Sequence, residues 1–461
     1  MELIEASLSR IAATDAAINA FTDVVAERAR KHAAAFDRTL ASARKRSATT
    51  TRERWPLAGV PFAVKNLFDV AGLTTRAGSK IEREKPAAMR DATLVRRMEA
   101  AGAIVVGALN MDEYAYGFTT ENSHDGPVHN PHDLSRIAGG SSGGSGAAVA
   151  AGQVPLALGS DTNGSIRVPA SLCGIFGLKP TYGRLPRTGS FPFVHSLDHL
   201  GPFARSAADL ALCYDVLQGP DSDDPACAQR PLEATLGQLP LGADDFRVGI
   251  LDGWFREYAG REARAAVAAV ARALQARETV TLPNVAAARA AAFLIGNAEG
   301  GALHLDDLRT RAGDFEPLSR DRFIAGALLP AAWIVRAQRV RRWFARELAT
   351  VFSDFDILLA PATPLPATPI GSETMQLGAE RIPTRPNMGI LTQPISCIGL
   401  PVCVVPVWLP DARLPIGVQV IAAPWREDLV LRVAAQLEAD GIAAAPVASL
   451  EAASADAVAA V

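Results

Sequence analysis

Gly139-Gly140-Ser141-Ser142-Gly143-Gly144-Ser145-Gly146, followed by Gly159-Ser160-Asp161-Thr162-Asn163-Gly164-Ser165-Ile166-Arg167, is the part of this chain whose reading decides the rest. A Gly-Ser linker would lack apolar residues, yet Ala147-Ala148-Val149-Ala150 and Val154-Pro155-Leu156-Ala157-Leu158 are interleaved here. Residues 136–190 are therefore expected to form a buried loop bundle. Glycines let backbone approach a ligand closely, so such a run can aim several N–H groups at one point. Converging N–H groups suit a phosphate or a developing oxyanion. The phosphate reading needs G-x-x-x-x-G-K-[ST], or G-x-G-x-x-G after a strand, and neither pattern is present. That leaves the oxyanion, and with it a nucleophile drawn from the serines.

The string matches G-x-S-x-G around both Ser141 and Ser142, a match nearly automatic in so glycine-rich a segment. A nucleophile elbow needs a strand ahead of it, and Arg136-Ile137-Ala138 reads as a poor one. Histidine is the usual base for a serine, but His124, His129, His132, His195 and His199 read as loop histidines. A buried lysine is the alternative. Lys65 stands alone after the apolar run Val60-Pro61-Phe62-Ala63-Val64, where burial would lower its pKa and make it a neutral base near pH 7. Taken by itself it reads as a lysine snorkelling from a strand end; beside the serine loops it reads as a base.

Working outward, residues 1 to about 50 carry Leu3, Leu8, Ile11, Ile18 and Phe21 at helical spacing and predict two or three surface helices. Leu57 to Val64 and Ala103 to Leu109 predict buried strands, as do the runs within 351–369, 399–407 and 416–422. Residues 220–245 predict a surface connection, 262–350 a mostly helical stretch and 427–440 an amphipathic helix. Strands alternating with helices argue for an α/β sheet covered on both faces. The expected organisation is an N-terminal helical segment over 1–54, one large domain over 55–440 with a helical insertion at about 255–350, and an Ala-rich tail over 441–461.

Composition narrows the function classes. Of 461 residues, 46 are basic and 49 acidic, a net charge of −3, so there is no electrostatic footprint for nucleic acid or an anionic membrane. Hydrophobic residues reach 49%, enough for a sizeable core. The start, Met1-Glu2-Leu3-Ile4-Glu5, does not read as a secretory signal, and no run is long enough to span a bilayer. Five scattered cysteines without metal spacing read as buried thiols in a reducing cytoplasm, so neither a disulfide framework nor a metal site is expected.

The glycine-serine stretches, together with Cys173-Gly174 and Gly177-Leu178-Lys179-Pro180-Thr181, resemble the amidase signature family, from about Trp55 to Phe203 and again from Asp354 to Trp425. The resemblance implies an α/β fold with a large mixed central sheet wrapped by helices, and no cofactor or metal. It implies Lys65 as base, Ser141 as a bridging serine held by a cis peptide, and Ser165 as nucleophile. It also implies that Thr162, Asn163, Gly164 and Ser165 offer backbone N–H groups to the oxyanion, with Asp161 and Arg167 paired behind them. Asn163 stands where the family more often has glycine, and asparagine tolerates left-handed φ better than most residues. Its side chain is expected either to narrow the pocket or to donate a hydrogen bond to substrate.

Asp161-Thr162-Asn163-Gly164-Ser165, Tyr182-Gly183-Arg184, Arg385-Pro386-Asn387-Met388-Gly389 and Gln393-Pro394-Ile395-Ser396 resemble the branch of that family that hydrolyses carboxylated ureides of the 1-carboxybiuret type with ammonia release. The branch implies a small helical subunit as partner, in a homodimer or a dimer of heterodimers. A substrate carboxylate needs a cation, for which Arg184, Arg311 and Arg385 are candidates. The alternatives are the glutamine-hydrolysing component of an aminoacyl-tRNA amidotransferase, a general small-amide amidase, and an inactive scaffold. Retention of Lys65, Ser141 and Ser165 together speaks against the scaffold.

Overall fold

The computed structural model describes residues 1–44 and 53–450. Its frame is an eleven-stranded sheet. In chain order the strands are β1 (Phe21–Val24), β2 (Pro61–Lys65), β3 (Ile104–Leu109), β4 (Leu156–Asp161), β5 (Phe176–Lys179), β6 (His199–Ala204), β7 (Val248–Leu251), β8 (Glu278–Val280), β9 (Ile357–Pro361), β10 (Val402–Val407) and β11 (Ile416–Ala422). They lie side by side as β1-β3-β2-β4-β6-β5-β10-β11-β9-β7-β8. The sheet is mixed: β3, β2 and β4 are mutually parallel, β4 through β9 are linked by antiparallel pairs, and β9, β7 and β8 are parallel again.

The central strands are buried along their whole length because both faces are covered. Successive side chains point to opposite faces. Phe62, Val64, Val105, Leu156 and Leu158 enter one core, where they meet α3 (Thr93–Ala100), α6 (Ala207–Leu217) and α11 (Glu427–Ala439). Ala63, Ile104, Val106 and Ala157 enter the other, under α1 (Glu2–Ile18), α2 (Ala26–Arg44), α4 (Gly143–Ala150) and α5 (Arg167–Cys173).

Three sequence readings change. Phe21, counted into the helical spacing of the first fifty residues, lies in the edge strand β1, paired with Leu109; residues 45–52 of that stretch lie outside the described residues. The 136–190 segment is buried but is not a loop bundle, since it supplies α4, β4, α5 and β5. Glycine costs about 1 kcal/mol in a helix relative to alanine, but α4 lies so close to its neighbours that a Cβ on Gly144 would meet the carbonyl oxygens of Ala20 and Asn110 at 2.6 Å. Burial and the need for close approach override propensity there. Arg136 and Ile137, poor strand formers by sequence, belong to a short strand, Asp133–Ile137, paired with His129–Asn130.

The expected helical stretch contains α7 (Arg261–Ala273), α8 (Val285–Leu303), α9 (Pro317–Ala327) and α10 (Ala331–Asp354), interrupted by β8. α8 and α9 meet through glycines: a Cβ on Gly301 would lie 2.4 Å from Ala327 N, and one on Gly326 only 1.9 Å from Asn297 O. This contact places Asn297 of α8 and Arg322 of α9 beside each other. Gly326→Ala should force the helices apart and cost roughly 1–3 kcal/mol, read as a lower denaturation midpoint with an unchanged m-value.

Candidate active site

Lys65 is the last residue of β2, the third strand from one edge of the sheet, and is fully buried. Its Nζ donates to Ser141 Oγ at 2.6 Å and to Ser160 Oγ at 2.9 Å. Ser160 lies on the adjacent strand β4 and carries no sequence signal of its own; only the parallel pairing of β2 with β4 brings it under the lysine. Burial pushes the Lys65 pKa down to about 7, opposed by the charges of Asp112, Asp198 and Asp161. The peptide bond between Gly140 and Ser141 is cis. A Cβ on Gly140 would meet Asp112 Oδ2 at 2.1 Å, so only glycine leaves room for that carboxylate.

Ser165 sits between β4 and α5, buried at 2% exposure, on the wall of a narrow cavity. Tyr116, Phe118, Thr162, Asn163, Phe293, Asn297, Arg322 and Gln393 share that wall. Among the described residues the hydrogen bonds do not include one between Ser141 and Ser165. Such contacts are often long until substrate is bound. The backbone N–H groups of Thr162, Asn163, Gly164 and Ser165 donate to no group among the described residues, leaving four consecutive donors unspent. The positive φ of this loop falls on Gly164, at 143°, and not on Asn163. Tolerance of left-handed φ is therefore not the reason asparagine fits at 163.

Behind the loop Arg167 is fully buried, and every guanidinium nitrogen is engaged. Nε and Nη2 reach Asp161 at 2.9 and 3.0 Å, Nη1 reaches Gln419 Oε1 at 2.7 Å and Thr392 O at 3.0 Å, and Nη2 also donates to Ser396. Burial would raise the Asp161 pKa, but Arg167 outweighs it and holds the carboxyl below its usual range. Asp161 Oδ2 also accepts from the backbone N–H of Ile166 and Arg167, fixing the start of α5.

The three arginines expected near a substrate carboxylate are committed elsewhere, and none lines the cavity. Arg184 is bound to Tyr214, Gln218 and Glu233. Arg311 is held on the surface by Glu84 and Asp314. Arg385 is buried against Glu316 at 2.7 Å and Asp112 at 3.2 Å. The arginine that does line the cavity is Arg322. Its guanidinium lies 4.0 Å from the Tyr116 ring centroid, and among the described residues it has no carboxylate partner. Sequence offered no signal for it, because it is one basic residue among many in a helical stretch.

The amidase family model matches residues 2–431. This chain is a member of the amidase signature family. It is 57% identical to AtzE, a 1-carboxybiuret hydrolase component of Pseudomonas sp. (strain ADP), over 96% of this chain and 95% of that protein. It is 40% identical to the glutamyl-tRNA(Gln) amidotransferase chain of the same family from Anaeromyxobacter dehalogenans, over 95% and 92% of the two chains. A solved structure described as a vestigial protein complex revealing the origins of an s-triazine catabolic enzyme superposes with a TM-score of 0.93 at 57% identity, covering 96% of this chain and 95% of its own. The corresponding glutamyl-tRNA(Gln) amidotransferase chain of Thermotoga maritima superposes at 0.80 with 30% identity, covering 97% and 95%. The chain is thus an amidase acting on C–N amide bonds, with the mixed eleven-stranded sheet of its family. Among the described residues no helix is long and apolar enough to cross a membrane, and all five cysteines are buried free thiols.

Arg167→Met should leave Asp161 charged and unpaired in the interior, costing about 3–5 kcal/mol. Denaturant unfolding should show Asp161→Asn recovering part of that loss in the double variant.

Proposed function

We propose that this amidase cleaves the C–N bond of a small carboxylated ureide, of the 1-carboxybiuret kind, releasing ammonia through a Lys65–Ser141–Ser165 relay. The observation that carries the chemistry is the buried Lys65 ammonium position, 2.6 Å from Ser141 Oγ, with a pKa lowered to about 7. A lysine with that pKa is substantially neutral at physiological pH and can accept a proton.

In this reading neutral Lys65 takes a proton from Ser141, Ser141 takes one from Ser165, and Ser165 Oγ attacks the amide carbon. The unspent N–H groups of residues 162–165 receive the oxyanion. The relay then returns the proton to the departing nitrogen, leaving an acyl-enzyme on Ser165, which water clears by the same route in reverse. Asp161 and Arg167 act one step back, holding the loop that carries Ser165. The ureide assignment draws on the 57% identity to the 1-carboxybiuret hydrolase component and on Arg322, a cation in the cavity with no carboxylate in contact with it among the described residues. The related chain is one component of a hydrolase, and the similar solved structure is a protein complex. As the resemblance to that branch implies, this protein pairs with a small helical subunit in a dimer of heterodimers, the alternative being a homodimer, in a cytoplasm reducing enough for its free thiols.

Ammonia release from carboxylated biuret, glutamine and simple amides tests the reading. The ureide should be the preferred substrate; reaction with glutamine alone, and only alongside the other tRNA-amidotransferase components, would overturn it. Ser165→Ala should abolish turnover while the fold is retained, and Lys65→Ala should lower kcat by about 10²–10⁴ or more. In the intact enzyme kcat/KM should rise with pH through about 7 and level off above it, because the folded pKa of Lys65 is depressed and the neutral amine is the active form. Arg322→Ala should raise KM for a carboxylated substrate roughly 10- to 100-fold, the loss of a charged hydrogen bond, and affect a neutral amide much less.

A further inference from the structure

Three carboxamides line the cavity: Asn163, Asn297 and Gln393. The side-chain oxygens of two are already used. Asn297 Oδ1 accepts from the Tyr116 hydroxyl, and Gln393 Oε1 accepts from Arg289 Nε at 2.7 Å. The third is not: Asn163 Oδ1 is buried with no hydrogen-bond partner among the described residues.

Nothing in the fold accounts for this side chain. The backbone does not require asparagine, since the left-handed residue of the loop is Gly164. The residue is held in place through its main chain, whose carbonyl accepts from Thr392 Oγ1 at 2.7 Å. Its amide lies against Gly296 of α8, where a Cβ would stand an ordinary 3.7 Å from Nδ2, so it is neither crowded nor clamped. A buried acceptor without a donor is unfavourable, and the cost is relieved when a ligand brings an N–H.

We infer that the Asn163 carboxamide is a specificity-determining group that accepts an N–H from the acyl side of the substrate, selecting ureides over carbon-chain amides of the same length. The inference rests on the ureide reading above and deepens it. In –NH–CO–NH₂ the atom next to the scissile carbonyl is a donor; in –CH₂–CO–NH₂ it is not. Asn163 is two residues from Ser165, on the same cavity wall, and so within reach of that neighbouring atom when the carbonyl stands over the nucleophile. Arg322 would hold the far carboxylate. A site with a buried acceptor discriminates against a ligand that leaves it empty more sharply than an apolar pocket rejects an extra group.

N-carbamoylglycine and succinamate differ only in NH for CH₂ at this position and both keep the terminal carboxylate. Their dissociation constants can be measured by calorimetry on the full-length Ser165→Ala protein, so that no turnover intervenes. The ureide is expected to bind about 5- to 10-fold more tightly. Asn163→Ala or Asn163→Gly in that background should bring the ratio close to one, chiefly by weakening the ureide. Either substitution preserves the backbone N–H groups, and two variants guard against one that folds poorly. A preference unmoved by both variants would overturn the inference, as would no preference, or no binding of either ligand. Absence of ammonia release from carboxylated ureides by the intact enzyme, with the binding preference present, would overturn the reaction assigned above and leave this selectivity standing.

Discussion

An amine buried at the end of an interior strand, with only hydroxyls to receive it, is the constraint around which this molecule is organised. Lys65 is fully buried and bonded to Ser141 and Ser160, while the carboxylates that favour its charge act through space. Burial outweighs them, and the result is a base suited to neutral pH. For the penalty to persist, the surroundings must be unable to relax. β2 lies between β3 and β4 with both faces covered, and the Gly140 backbone closes over Asp112 with no space for a Cβ. The depressed pKa of the lysine and the rigidity of the sheet are thus one property.

A second buried charge system links the sheet to the helices that complete the cavity. Arg385 joins Glu316, at the start of α9, to Asp112, the carboxylate nearest in effect to Lys65. Glu113, next along the chain, accepts from the Glu316 backbone N–H at 2.9 Å and from the Ser319 hydroxyl, satisfying otherwise orphaned donors at the N-terminus of α9. The helix that carries Arg322 is therefore anchored to the loop that faces Lys65. Arg385 is important to this protein for a reason other than substrate binding. It holds a charged joint together and is committed to two carboxylates of the protein itself.

The strands were readable because full burial on both faces makes them nearly continuous apolar runs, as in Ile104 to Leu109. The serine loops were readable because few structures need that much glycine and serine among alanines and valines. α4 was not. Its helix exists because it must pass within van der Waals reach of Ala20 and Asn110, partners distant in sequence. Phe21 escapes the helical pattern for a related reason, since its pairing with Leu109 spans more than eighty residues. The arginines were illegible for another. Whether a guanidinium is free or paired depends on where carboxylates lie in space, and Arg311, Arg385 and Arg322 are alike until that is known.

The sequence by itself determined the family, the kind of sheet and the residue types of the site, because these follow from local composition and from motifs whose spacing is kept along the chain. Tertiary structure alone decided that Ser160 shares the lysine, that Arg322 is the cation of the cavity and that Asn163 holds the unpaired acceptor. Each of those facts is a relation between segments that only packing brings together, and hydrogen bonds and ion pairs act over a few ångströms of space whatever the distance along the chain.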